Sequence, residues 1–231
     1  MKTPLRIAVI DSGVHAAHPH VNGVAGGVSI LPDGTEQSDY VDRLGHGTAI
    51  AAVIREKAPD AEIFAVKVFH QSLATNIQSL VNAIDWSARH GMHLVNLSLG
   101  TENPEHAEKL RRAIKGIVLI AAQEDAGVRW LPGSLPNVLP VVLDWPCARD
   151  EYRTSTLSGG RKLFHASGFP RPIPGVSPGK NLKGISFAVA NVTGLIAGRL
   201  CGDSDFTWPA AGAHPALLRY LETPTPQPTQ S

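Results

Sequence analysis

The sequence predicts an α/β fold with a mostly parallel central sheet and helices on both faces. Three observations carry that expectation. Short apolar runs alternate with longer stretches of helical period, the pattern of βαβ units around a doubly covered sheet. The 231 residues, 43% hydrophobic and 18% charged, have a globular composition and a length that suits one well-buried domain better than two. No internal repeat divides the chain.

Taken in order, the first strand is expected at residues 6–10, where Ile7, Ala8, Val9 and Ile10 form a continuous apolar run. His46 precedes the apolar stretch 49–54 and would stand at the start of a helix. A strand at 63–69 follows. Ile77, Leu80, Val81, Ile84 and Ala88 then recur at steps of three and four, with Gly91 as a stop signal, so this stretch reads as a helix. Trp86 and Ile84 on it are expected in the core. Strands at 94–99, 118–122 and 138–143 and a helix at 105–115 complete the alternation. From 154 to 183 the text is rich in Gly, Pro and Ser and predicts loops with short edge strands. A helix starting near Ser186 and running through Leu200 is apolar or small almost all round, hence buried on several sides. Residues 1–222 make the expected single domain, and the Thr/Pro/Gln tail 223–231 is expected to be disordered.

Charge narrows the partners. Lys+Arg 21 against Asp+Glu 20 gives a formal net charge of +1, so no basic field draws the protein to phosphate backbones or anionic lipid. Nucleic acid and membrane are not expected partners, and no run is expected to reach the roughly 18 to 20 apolar residues of a membrane span. Two cysteines, Cys147 and Cys201, make no disulfide framework, and the strand run begins almost at Met1 without a signal-peptide segment. A cytoplasmic location is the resulting expectation.

Three residues invite a chemical reading. Asp11 closes the first strand in Ile10-Asp11-Ser12-Gly13, at the carboxyl edge of a parallel sheet, where sites gather in such folds. A turn aspartate would look the same. His46 lies between two glycines at a helix start, open to approach, and a surface loop histidine is the plain alternative. Ser186 sits at the start of the buried helix, where a backbone N–H and the helix dipole suit an oxyanion. An N-cap serine would also stand there. The combination decides: Asp, then His 35 residues on (46 − 11), then Ser 140 residues on (186 − 46) is one of the three unrelated orders in which this triad occurs.

At this point the chain resembles the subtilisin-like serine peptidases, the subtilases, over nearly its whole length. Residues 8–14 with His18-Pro19 are similar to their Asp motif, and Gly45-His46-Gly47-Thr48 to their His motif. Ala58-Pro59 and residues 65–68 resemble the strand that follows, and Asn96-Leu97-Ser98-Leu99-Gly100 the substrate-binding strand. Leu131-Pro132-Gly133 with Pro136-Asn137-Val138 resembles the specificity-pocket segment, and residues 184–194 the Ser motif. The resemblance implies a three-layer subtilisin-like fold and peptide-bond hydrolysis, with Ser186 as nucleophile, His46 as general base then acid, and Asp11 orienting the imidazole. It also implies a peptide or protein substrate paired as an extended strand on Ser98, Leu99 and Gly100. The side chain before the scissile bond would be held between that strand, Ala121, Ala122 and Gln123, and Leu131, Pro132 and Gly133.

The chain also departs from the family. The Asn that subtilases usually supply to the oxyanion hole is missing from Ala121-Ala122-Gln123-Glu124-Asp125. Without a gap Glu124 takes its place; a shift of one brings Gln123, whose amide can donate, and Gln123 is the expected donor. Ile185 replaces the usual Thr before the nucleophile, and Ala190-Asn191 the usual Pro-His after it. Ala58 follows His46 by only 12 positions (58 − 46), without a cluster of oxygen ligands, so no calcium is expected there. His15, His18 and His20 lack a second ligand cluster and read as loop histidines. No metal and no cofactor are expected. A specialised peptidase without its own pro-segment, removing the leader of a biosynthetic peptide, is the first reading. A pseudo-peptidase that binds peptides without cleaving them is the second.

Overall fold

The computed structural model describes residues 3–209 and 212–222, so the tail expected to be disordered lies outside the described residues. Its strands are β1 (Arg6–Asp11), β2 (Gly26–Ile30), β3 (Glu36–Gln37), β4 (Glu62–Lys67), β5 (Leu94–Leu97), β6 (Val118–Asp125), β7 (Val128–Arg129), β8 (Val138–Leu143), β9 (Tyr152–Thr156) and β10 (Lys162–Ala166). Its α-helices are α1 (His46–Lys57), α2 (Ile77–Arg89), α3 (Ala107–Ala113), α4 (Ile185–Gly202) and α5 (Ala213–Glu222).

Seven strands run parallel in the order β2-β4-β1-β5-β6-β8-β10, with β3, β7 and β9 added antiparallel on β2, β6 and β10. After β1 the chain builds first to one side, through β2 and β4, and then to the other, from β5 onward. The carboxyl end of β1 is therefore a switch point of the sheet, where neighbouring connections diverge and leave a crevice.

Alternation along β1 sorts its side chains onto two cores. Ile7 and Val9 join the apolar faces of α1, α4 and α5, whereas Ala8 and Ile10 join those of α2 and α3. The mostly parallel α/β architecture is the expected one. Helix α4 lies against α1 closely enough that a Cβ at Gly198 would stand 2.3 Å from the Lys57 carbonyl oxygen, and one at Gly194 3.0 Å from Lys57 Cδ. Glycine at both positions lets the two backbones meet.

One expectation is corrected by α4. Its 18 residues, with mean hydropathy 1.4, are long and apolar enough to cross a membrane by length and composition. The physical reason lies in its surroundings: 61% of the window is buried inside the protein, and a helix packed on several sides must be apolar all round.

Other differences are local. Strand β2 went unpredicted because Gly26-Gly27 lacks strand propensity, yet the close approach of Ala65 demands a glycine: a Cβ on Gly27 would lie 2.4 Å from its carbonyl oxygen. Within the loop-like stretch 154–183, β10 is no edge strand; it pairs with β8 on one side and β9 on the other. The helix expected at 105–115 is a 3₁₀ turn, Pro104–His106, followed by α3. Helix α5 had no counterpart in the sequence reading.

Candidate active site

Asp11 is the last residue of β1 and is fully buried. Its Oδ1 accepts the Ser12 backbone N–H at 2.7 Å, and His46 Nδ1 lies 2.8 Å from Oδ1 and 3.0 Å from Oδ2. His46 is the first residue of α1. The turn leading into it is held by a second buried carboxylate, Asp42, which accepts from the N–H groups of Leu44 and Gly45 (2.9 Å each), the Thr48 N–H (2.8 Å) and the Thr48 hydroxyl (2.6 Å). Gly45 itself has φ +85° and no side chain to cap the helix, so Asp42 does that work from three residues upstream.

The end of β1 and the start of α1 meet backbone to backbone. The Gly47 N–H donates to Ser12 Oγ at 2.9 Å, and a Cβ at Gly47 would stand 2.2 Å from the Gly13 carbonyl oxygen. This explains the glycine after His46: a larger residue would separate imidazole from carboxylate. Burial pulls the His46 pKa down, but the hydrogen bond and charge of Asp11, helped by Asp42, outweigh it. The imidazole therefore titrates above its ordinary value of 6.5.

Ser186 is the second residue of α4, just past Gly184 with φ +140°. It lies inside the first turn and does not cap the helix. Its hydroxyl donates to the Ser98 carbonyl at 3.3 Å, and Ser98 Oγ donates to the Ser186 carbonyl at 3.4 Å. Fully buried Asn96 braces this pair, donating to Ser98 Oγ and accepting from the Thr193 hydroxyl, each at 3.0 Å. The His46 ring lies 5.7 Å from that of Phe187, centroid to centroid, so imidazole and first turn of α4 are neighbours. No His46–Ser186 hydrogen bond is formed among the described residues.

The segments expected around a substrate side chain pack against one another. Thr101 and Leu131 exchange two backbone hydrogen bonds, 2.9 and 2.8 Å, and a Cβ at Gly133 would sit 1.8 Å from the Ala122 carbonyl oxygen. Ala121, Ala122, Pro132 and Gly133 are buried, while Ser98, Leu99, Gly100 and Leu131 keep accessible surface. Gln123 occupies an irregularity where β6 slips register against β8, between Ala122 and Glu124. It is 5% exposed, and its Oε1 is buried without a hydrogen-bond partner. Glu124 is exposed and lies across the hairpin from Arg129. His15, His18 and His20 sit on the loop after β1, and no group of three or more His, Cys, Asp or Glu is placed to hold a metal among the described residues. The sequence reading missed Asp42, although an Asp shortly before a helix start is a capping signal.

These features agree with the comparisons. Residues 3–141 match the subtilase family, Peptidase S8, and the chain belongs to that family. The Minor extracellular protease Epr of Bacillus subtilis (strain 168) is 38% identical over 136 residues, which cover 53% of this chain and 20% of that protein. A cold-adapted subtilisin-like serine proteinase superposes with a TM-score of 0.65 at 23% identity, over 88% of this chain and 77% of its own. The prenylagaramide maturation protease PagA superposes with a TM-score of 0.61 at 25% identity, over 87% of this chain and 76% of its own. The chain spans about half the length of several curated relatives that it matches, 52% in the case of an alkaline protease of Alkalihalobacillus alcalophilus.

Proposed function

We propose that this chain is a serine endopeptidase working through Asp11, His46 and Ser186. The observation that carries the reading is the buried Asp11–His46 hydrogen bond with Ser186 on the neighbouring first turn of α4. Ser186 Oγ attacks the carbonyl carbon of the scissile bond as His46 Nε2 takes its proton. The tetrahedral intermediate collapses when His46 returns the proton to the departing amine, leaving an acyl-enzyme. Water then repeats the sequence and releases the acid. Asp11 keeps the Nδ1–H tautomer and offsets the imidazolium charge. Gln123 supplies an oxyanion donor, and the substrate pairs as an extended strand along Ser98, Leu99 and Gly100, with Ala121, Ala122, Leu131, Pro132 and Gly133 behind its side chain.

Likeness to a protein named as a maturation protease supports a narrower role, removal of a leader from a biosynthetic peptide. Two unbridged cysteines suit a reducing, cytoplasmic setting for it. A Ser186 hydroxyl that donates to the Ser98 carbonyl instead of to His46, together with the missing Asn, favours one rival, a peptide-binding pseudo-peptidase. A fluorophosphonate probe separates the two. The peptidase reading expects labelling that disappears in Ser186→Ala and His46→Ala; a folded wild-type protein that takes no label, or a label that survives in Ser186→Ala, sinks it.

A further inference from the structure

On the peptidase reading, the chemistry sets where the departing segment begins. His46 gives its proton to the leaving amine, so the first residue after the scissile bond lies next to it, and Gly45 and Thr48, on the same turn as His46, line a cleft. This cleft, of about 530 Å³, opens between the loop after β1, the loop before α1 and the loop before α4. Seven large apolar side chains are substantially exposed among the described residues. Three of them, Leu44 (38%), Ile173 (44%) and Leu182 (49%), line this cleft, and Val41 and Val176 lie on the same two loops. Apolar side chains scattered singly over a surface need no explanation, but convergence on one concavity beside a reacting centre does.

The surrounding charge leans basic. Residues 168–184 carry Arg171, Lys180 and Lys183 and no acidic residue, and Arg43 stands on the opposite wall. The carboxylate lining the cleft, Asp42, is occupied by four donors from Leu44, Gly45 and Thr48. Asp39 pairs with Arg43 at 2.9 Å and Glu56 with Arg171 at 4.0 Å. Arg171 also donates to the His20 carbonyl at 3.2 Å, while Glu56 is held more closely by Arg149; both arginine pairs are partly exposed and of the kind worth little in water, so an incoming carboxylate can exchange with them.

We propose that this cleft selects the leaving side of the substrate: an apolar side chain seated against Leu44, Ile173 and Leu182, followed by an acidic one facing Arg43 and Arg171. The direction of the chain rests on the peptidase reading; the cleft's preference for such a peptide does not.

Two peptides identical up to the scissile bond test it. One carries Leu and Glu within the first three residues after the bond and the other Gly and Lys. Wild-type protein is expected to favour the first by about tenfold or more in kcat/KM, the scale that a well-filled apolar pocket supplies. In the double variant Ile173→Ser, Leu182→Ser the ratio should fall towards one, and in Leu73→Ser, an exposed leucine outside the cleft, it should stay. Because the readout is a ratio within one protein, a general loss of activity does not imitate the result. Binding of the same labelled peptides to Ser186→Ala protein, followed by anisotropy, gives a second readout that needs no turnover. Fluorophosphonate labelling of Ser186 together with equal use of both peptides overturns the cleft assignment alone. Failure to label, with peptide binding that still depends on Ile173 and Leu182, overturns the nucleophile and retains the cleft.

Discussion

On the Asp11–His46 side of the site two buried carboxylates accept from backbone and side-chain donors, and Gly47 packs α1 onto the backbone that follows β1. On the Ser186–Gln123 side the Ser186 hydroxyl rests on a carbonyl at 3.3 Å, and a buried amide oxygen has no partner. On the proposed mechanism the proton-handling half is thus set before a substrate arrives. The acyl-handling half would be completed by substrate, which has to draw the Ser186 hydroxyl away from the Ser98 carbonyl. Preorganised charge is where rate enhancement usually originates, so a variant in the first half should disturb pH behaviour and stability together, whereas one in the second should disturb turnover alone.

Asp11→Asn strikes the first half and carries the largest expected effect, a loss of about 10⁴ in kcat, because the imidazole is left in the wrong tautomer. The pH profile should move as well. With Asp11 present, the raised His46 pKa means the neutral base appears only above the ordinary value of 6.5. Without it burial dominates, and the acid limb of residual kcat/KM shifts to lower pH. The stability sign follows from linkage. A raised folded pKa contributes stability that is fully present below the unfolded value and is lost as pH rises through the folded one. Urea unfolding should therefore show the variant's deficit at pH 5 and a smaller deficit at pH 9. An unmoved acid limb would break the comparison.

Gln123→Ala probes the second half. Turnover should fall by about 10² to 10³, the usual cost of one oxyanion donor, with the acid limb unmoved. Stability should change little, since the packing lost with a buried side chain is offset by removal of a buried oxygen that lacks a hydrogen bond. Gln123→Glu keeps the shape and loses the donor, so it should be as slow as Gln123→Ala. Glu124→Gln, on the exposed hairpin, should match wild type. If Gln123→Ala turns over at the wild-type rate while Glu124→Gln is impaired, the donor sits one residue on.

How far the sequence could be read follows the same division. Asp11, His46 and Ser186 were legible because each stands where a periodic apolar run begins or ends, and their order along the chain is itself a signal. The sheet was legible where short apolar runs stand between turn signals, as at 138–143, which matches β8 in full. Illegible were features decided by backbone contact. β2 begins with two glycines that strand propensity would reject. Strand β10 is hidden in a Gly/Pro-rich stretch and recruited by its neighbours β8 and β9. The displacement of Gln123 arises from register against β8. Ser98, Leu99 and Gly100 were legible by motif, but the bracing of Ser98 by Asn96 and Thr193 spans 97 residues and has no local trace.

The smallest expected effect sharpens the comparison most, because it touches the first half without touching a reacting group. Asp42→Ala removes the acceptor for three N–H groups at the entry of α1, which should cost about 1 kcal/mol, the scale of a lost helix cap. Burial raises the Asp42 pKa, but its hydrogen bonds from Thr48, Gly45 and Leu44 outweigh that and hold it below the ordinary 3.8. A depressed folded pKa contributes stability that is present above the unfolded value and disappears as pH falls through the folded one. Wild type and variant should therefore differ in urea midpoint at pH 7 and converge as the pH drops below about 3.8. Activity should change less than in Gln123→Ala, with a slight downward drift of the acid limb, since Asp42 contributes to raising His46. A loss of kcat as large as that of Asp11→Asn would mean that α1 cannot hold His46 without its cap. Rigidity of the proton-handling half would then be owed to Asp42 more than to the contact of Gly47 with Gly13.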